Sequence, residues 1–111
     1  MITYETENHI ILCPKFKIFS QKAVDEVTNL ITKKPPTKDI AIDMSNVYSI
    51  SDKFLEMINT AQRKFTLLNT PADILVIINL TNSDKNVKLF TNNIDLEEDK
   101  RELRNRKFSI V

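Results

Sequence analysis

Ile40-Ala41-Ile42-Asp43-Met44-Ser45-Asn46-Val47-Tyr48-Ser49-Ile50-Ser51-Asp52-Lys53-Phe54-Leu55 passes from one hydrophobic pattern to another. Ile40 to Met44 runs without a polar face, as expected of a strand covered by helices on both sides. From Asp52 onward Phe54, Ile58, Ala61, Phe65 and Leu68 recur at spacings of four and three. Lys53, Glu56, Thr60, Arg63 and Lys64 fall between them, so the pattern predicts an amphipathic helix reaching Leu68. Ser51 stands at the helix N-cap and Asp52 in its first turn, where a carboxylate complements the macrodipole. A buried strand feeding a helix through a short polar loop is the unit of an α/β domain.

The flanking sequence extends this unit. Ile2 and Tyr4 alternate with polar neighbours, and Ile10-Ile11-Leu12-Cys13 follows Glu7-Asn8, a pattern for an antiparallel hairpin at a sheet edge. Ser20 caps a predicted helix with Ala23, Val24, Val27, Leu30 and Ile31 on one face. That helix carries Lys33-Lys34 at its end and is stopped by Pro35-Pro36. Asn69-Thr70-Pro71 breaks the chain again before Ile74-Leu75-Val76-Ile77-Ile78, the most apolar run and the expected central strand. A third short helix is expected from Asn82 or Ser83, turning Val87, Phe90 and Ile94 inward. Asp95 to Lys107 is charged at nearly every position, and Phe108-Ser109-Ile110-Val111 returns to strand composition. The resulting expectation is a single domain over residues 1–111: α/β, with a mostly parallel four- to five-stranded sheet, packing helices and an N-terminal antiparallel hairpin.

Composition narrows the function. The 111 residues include no glycine, whereas about eight would be ordinary at that length. Walker A, Rossmann GxGxxG and GxSxG motifs are thereby excluded, because their cradles and elbows need a bare backbone. Lys+Arg 16 against Asp+Glu 15 leaves a formal net charge of +1, which gives no general attraction to nucleic acid or anionic membrane. Met1 to Glu7 has neither a basic start nor an apolar core, and no run approaches a membrane span, so a cytoplasmic setting is expected. Cys13 is single and lies in an apolar run, where it reads as a small hydrophobe in a reducing compartment.

The inventory for catalysis is thin. His9 is the sole histidine and reads as a surface or capping residue. His9 and Cys13 share one strand face, but two ligands fall short of a zinc site. Glu97-Glu98-Asp99 lacks the glycine turn of a calcium loop and reads as a solvated face. No catalytic residue, metal or cofactor is therefore assigned. The segment that asks for a function is Asn46 to Glu56. Free N–H groups and the positive dipole end at its helix start suit an anion, such as a carboxylate, a phosphate or a phosphoserine. The plain structural reading is that Ser51 caps and Asp52 complements the dipole.

The same segment resembles the signature of the STAS domains of bacterial anti-sigma factor antagonists. There a strand ending Asp-Leu-Ser-x-Val is followed by Asp-Ser-Ser-Gly-Leu at a helix start. The chain reads Asp43-Met44-Ser45-Asn46-Val47, then Ser51-Asp52-Lys53-Phe54-Leu55. Leu12 to Phe19 with the Ser20 helix is similar to the family's second strand and first helix, Asp73 to Leu80 to a later core strand, and Lys107 to Val111 to its last strand. Residues 95–107 then stand as a charged insertion. The resemblance implies a non-enzymatic regulatory domain whose partner is an anti-sigma factor or a serine kinase regulator. It places that partner on Asn46, Ser49, Ser51, Asp52, Lys53 and Glu56, with Phe16 and Lys17 flanking. Asp52 occupies the position of the phosphorylated serine and Phe54 that of the glycine, so the phosphorylation switch is expected to be lost or altered, with Ser51 the alternative acceptor. Phe54 would add bulk at the helix start. Two other readings stay open: a small anionic ligand, nucleotide or lipid head group, at the helix N-terminus, and a homodimer paired through Ile2 to Thr6 or Phe108 to Val111.

Overall fold

The computed structural model describes residues 2–34, 38–61 and 65–90. Ile2–Glu5 (β1) and His9–Cys13 (β2) form the expected antiparallel hairpin, with Ile2 opposite Cys13 and Glu5 opposite Ile10. Ile18–Phe19 (β3) leads into helix Gln21–Thr32 (α1), whose N-cap Ser20 accepts the Ala23 N–H at 3.3 Å. Asp39–Asp43 (β4), Ser49–Ile50 (β5) and helix Asp52–Thr60 (α2) follow. Phe65–Leu68 (β6), helix Ala72–Leu80 (α3), a 3₁₀ turn at Ser83–Asn86 and Val87–Phe90 (β7) complete the described elements.

The main sheet has five strands in the order β1-β2-β4-β6-β7, all parallel except β1. From β2 to β7 it grows in one direction, so right-handed crossovers bring α1, α2 and α3 to one face. One apolar core accordingly joins Ile10 and Leu12, Ile40 and Ile42, Phe65 and Leu67 of the sheet to all three helices. The alternate residues Ile11, Ala41 and Leu68 form a second cluster, as the period of two requires. β4 is buried on both faces, and β4 is the central strand.

Four expectations need correction. The helix predicted from Asp52 to Leu68 ends at Thr60, and Ala61 is already extended. Phe65, Thr66, Leu67 and Leu68 are all buried in β6; the spacing of Phe65 and Leu68 fits a helix only by coincidence. Ile74 to Ile78, predicted as the central strand and likened to a later core strand, lies within α3. Periodicity cannot separate a short buried strand from a helix that is apolar all round, and the punctuation decides: Pro71 takes the N-cap and Asp73 the first turn. The third helix shrinks to the 3₁₀ turn, and Val87 reaches the core from strand β7 instead. His9 is buried rather than at the surface, because β2 sits between β1 and β4. Ile94, the charged segment 95–107 and Phe108 to Val111 lie outside the described residues.

Two side chains reflect their places on the sheet. The Glu5 carboxyl is held below its ordinary range by the ammonium groups of Lys38 and Lys34, at 3.0 and 3.4 Å. Burial, then the charge of Asp43, pushes the Cys13 thiol up, so this half-buried cysteine is a weak nucleophile. Because Ile42 is fully buried in the central strand, Ile42→Ala should cost about 3 kcal/mol in urea unfolding, whereas Ile2→Ala at the exposed edge should stay within about 0.5 kcal/mol.

Candidate functional site

The loop after β4 is held at both ends. Met44 and Val47 are buried, the Met44 N–H donates to the Leu68 carbonyl at 2.8 Å, and the Val47 N–H donates to the Met44 carbonyl at 3.0 Å. Asp43 Oδ1 accepts the Ser45 N–H at 3.0 Å and Asn69 Nδ2–H at 3.3 Å, which ties the ends of β4 and β6 together. Ser45 and Asn46 are thereby lifted to the surface between two anchors.

β5 then pairs in parallel with β3, Ser49 beside Ile18 and Ile50 beside Phe19. The Tyr48 N–H donates to the Lys17 carbonyl at 2.7 Å and the Ser51 N–H to the Phe19 carbonyl at 3.1 Å. The Ser51 hydroxyl has two bonds: it accepts the Phe54 N–H at 3.3 Å and donates to the Phe19 carbonyl at 2.7 Å. Beneath it Phe54 is fully buried, its ring 4.5 Å from that of Phe19, which meets Phe16 edge-on at 4.9 Å. Phe54 therefore adds no bulk to the surface, contrary to the sequence expectation. Helix periodicity aims it into the core that β3 and α2 share.

Of the residues proposed to meet a partner, Asn46, Ser49, Asp52, Lys53 and Glu56 are exposed and Ser51 is half-buried. Lys53 and Glu56 form an exposed ion pair at 3.4 Å, one helical turn apart. Both line a groove of about 320 Å³ between α1 and α2, with Gln21, Asp25 and Thr28 on its other wall. Lys17, expected to flank the surface, lies with its ammonium 5.8 Å from the Tyr48 ring centroid. Phe16 instead serves the aromatic stack.

Sequence reading missed the two side chains with the most apolar surface here. Tyr48 is 66% exposed and Ile18 is 60% exposed. Both adjoin the β3–β5 pairing, Ile18 beside Ser49 and Tyr48 bonded to Lys17. The available signal was an aromatic residue in an otherwise polar loop; the pairing that brings Ile18 beside Ser49 joins segments far apart in sequence. An anion at this helix end meets the Asp52 carboxylate in the first turn and finds the Phe54 N–H already accepted. Among the described residues no group of three or more His, Cys, Asp or Glu could hold a metal ion, and no helix is long and apolar enough to cross a membrane.

Ser20 and Ser51 both cap helices, but only Ser51 also donates to a strand carbonyl. Ser20→Ala should therefore cost about 1 kcal/mol and Ser51→Ala about 2 kcal/mol in chemical denaturation. Equal losses would mean that the bond to Phe19 contributes nothing.

No protein-family model matches the chain, and no curated protein matches it. Solved structures do. A crystal structure of a candidate anti-sigma factor antagonist from Thermotoga maritima superposes with a TM-score of 0.70 at 20% identity, covering 90% of this chain and 93% of that one. An NMR structure of the same protein gives 0.65 at 18% identity, over 89% of this chain and 86% of that one. At such identity the likeness is one of architecture: this chain shares the fold of that Thermotoga protein.

Proposed function

We propose that this chain is a non-enzymatic regulatory domain that binds a partner protein through the β4–α2 loop and the start of α2. The observation that carries the reading is the exposure of Tyr48 and Ile18, two apolar side chains flanking the β3–β5 pairing that leads into the start of α2. Exposed aromatic and aliphatic side chains next to a helix start that carries charges of both signs have the composition of a protein interface. The shared fold with a candidate anti-sigma factor antagonist makes an anti-sigma factor or a serine kinase regulator the first partner to seek.

Constitutive binding, without a serine phosphorylation switch, follows from the chemistry of Ser51 and Asp52. A phosphate on Ser51 would remove the proton now given to the Phe19 carbonyl and set a dianion against that oxygen. Asp52 already carries one negative charge at the turn where the related signature places its phosphate.

Affinity purification of the full chain from its native cells, with intact mass of the recovered protein, tests both parts. An unmodified chain recovered with a kinase-like regulator is expected. Tyr48→Ala with Asp52→Ala and Glu56→Ala should weaken that capture at least about tenfold. Unchanged capture would overturn the site, and a phosphate on Ser51 would overturn the constitutive reading. A nucleotide that raises the melting temperature, with no partner recovered, would move the function to small-anion binding.

A further inference from the structure

α3 differs from the other two helices on its outer side. α1 exposes Lys22, Asp25 and Glu26, and α2 exposes Lys53 and Glu56, as solvated helices do. α3 buries Ile74 and Ile78, yet its opposite side carries Ala72, Val76 and Leu80 in a single i, i+4 row, all exposed, with Ile77 beside it. Leu80 is 78% exposed and Val76 56%, so the row is a contiguous apolar ridge open to water. The outer side bears one charge, Asp73, and one amide, Asn79.

We propose that this ridge is a self-association surface whose occupant is a second copy of the same chain, related by a two-fold axis passing beside Val76. Val76 is the midpoint of Ala72–Leu80, so an antiparallel pairing sets Val76 on Val76 and Leu80 of one copy over Ala72 of the other, large side chain against small. It also sets Asp73 against Asn79, an acceptor facing an amide donor. A parallel pairing would oppose Leu80 to Leu80 and Asp73 to Asp73, with crowding at one end and like charges at the other. A lipid surface fits poorly, because the ridge has an acid and no lysine or arginine to meet anionic head groups.

A helix roughly 13 Å long makes a small contact, so the dimer belongs to the weak, reversible class. The ridge shares no residue with the surface around Ser51, and this inference does not rest on the partner-binding reading. Each dimer would present two copies of that surface.

Sedimentation equilibrium of the full chain from about 10 μM to 1 mM tests the proposal. A reversible dimer is expected, lost on Val76→Lys and on Leu80→Lys while circular dichroism and melting temperature stay unchanged. In a Cys13→Ser background, Val76→Cys should cross-link to itself on oxidation. Leu80→Cys should do so only when Ala72→Cys is supplied on the other copy. A monomer throughout the range would overturn the proposal, as would a dimer indifferent to Val76→Lys, which would point to an edge strand. Binding of the monomer to phosphatidylglycerol vesicles, lost on Leu80→Lys, would overturn it in favour of lipid.

Discussion

The Ser51 hydroxyl joins two parts of the fold that nothing in the linear sequence connects. It closes the first turn of α2 by accepting the Phe54 N–H, and it holds β3 by donating to the Phe19 carbonyl. The second bond fixes where α2 begins relative to the strand that feeds α1. Phe19 and Phe54 then stack directly beneath it, so a polar clamp and an aromatic contact enforce the same geometry. Tyr48 and Ile18 owe their exposure to this arrangement. A strand pair of two residues is too short to hold itself, and here it is held by a cap above and a core below.

Zero glycine gives the backbone its second constraint. Two described residues adopt positive φ, and both are asparagines: Asn69 at 54° and Asn82 at 57°. Asparagine tolerates the left-handed region because its short amide bonds locally, and Asn69 uses its Nδ2 to reach Asp43 at 3.3 Å. A turn residue that elsewhere would be a mute glycine thus ties β6 to β4 at the end of the sheet where the β4–β5 loop departs. Replacing glycine by asparagine stiffens the loop base and adds a bond to it.

How much of this could be read in advance depended on which cues were local. Ser20 and Ser51 announced both capped helices, and the unbroken apolar character of Ile40 to Ile42 announced a buried strand, although the central place was given to Ile74 to Ile78. The β6 and α3 assignments were exchanged because both segments are almost wholly apolar, and an apolar run has no phase. Length and punctuation separate them: Phe65–Leu68 is four residues bounded by Asn69, whereas Ala72–Leu80 is nine residues entered through Pro71. At the candidate site, the exposure of Asp52, Lys53 and Glu56 was legible from their helix positions. Ile18 was not, since it joins the surface only through the β3–β5 pairing.

The outer ends of α2 and α3 are also locked together, and this has a consequence for any regulation that uses both faces of the molecule. Asn59 near the end of α2 donates to the Ser83 hydroxyl at 3.0 Å, and Asn86 donates to Asn59 Oδ1 at 2.8 Å. Ser83 is fully buried and bonded at 2.8 Å to Thr81, which donates back to the Ile77 carbonyl in α3. Ser83 is the buried member of this network and Asn59, Thr81 and Asn86 are exposed, so the bonds tie the end of α2 to the turn after α3 at the protein surface. The start of α2 and the ridge of α3 thus lie on two helices that this network joins. A second copy on the ridge would couple to a partner at Tyr48 through geometry and effective concentration rather than through a shift of the fold.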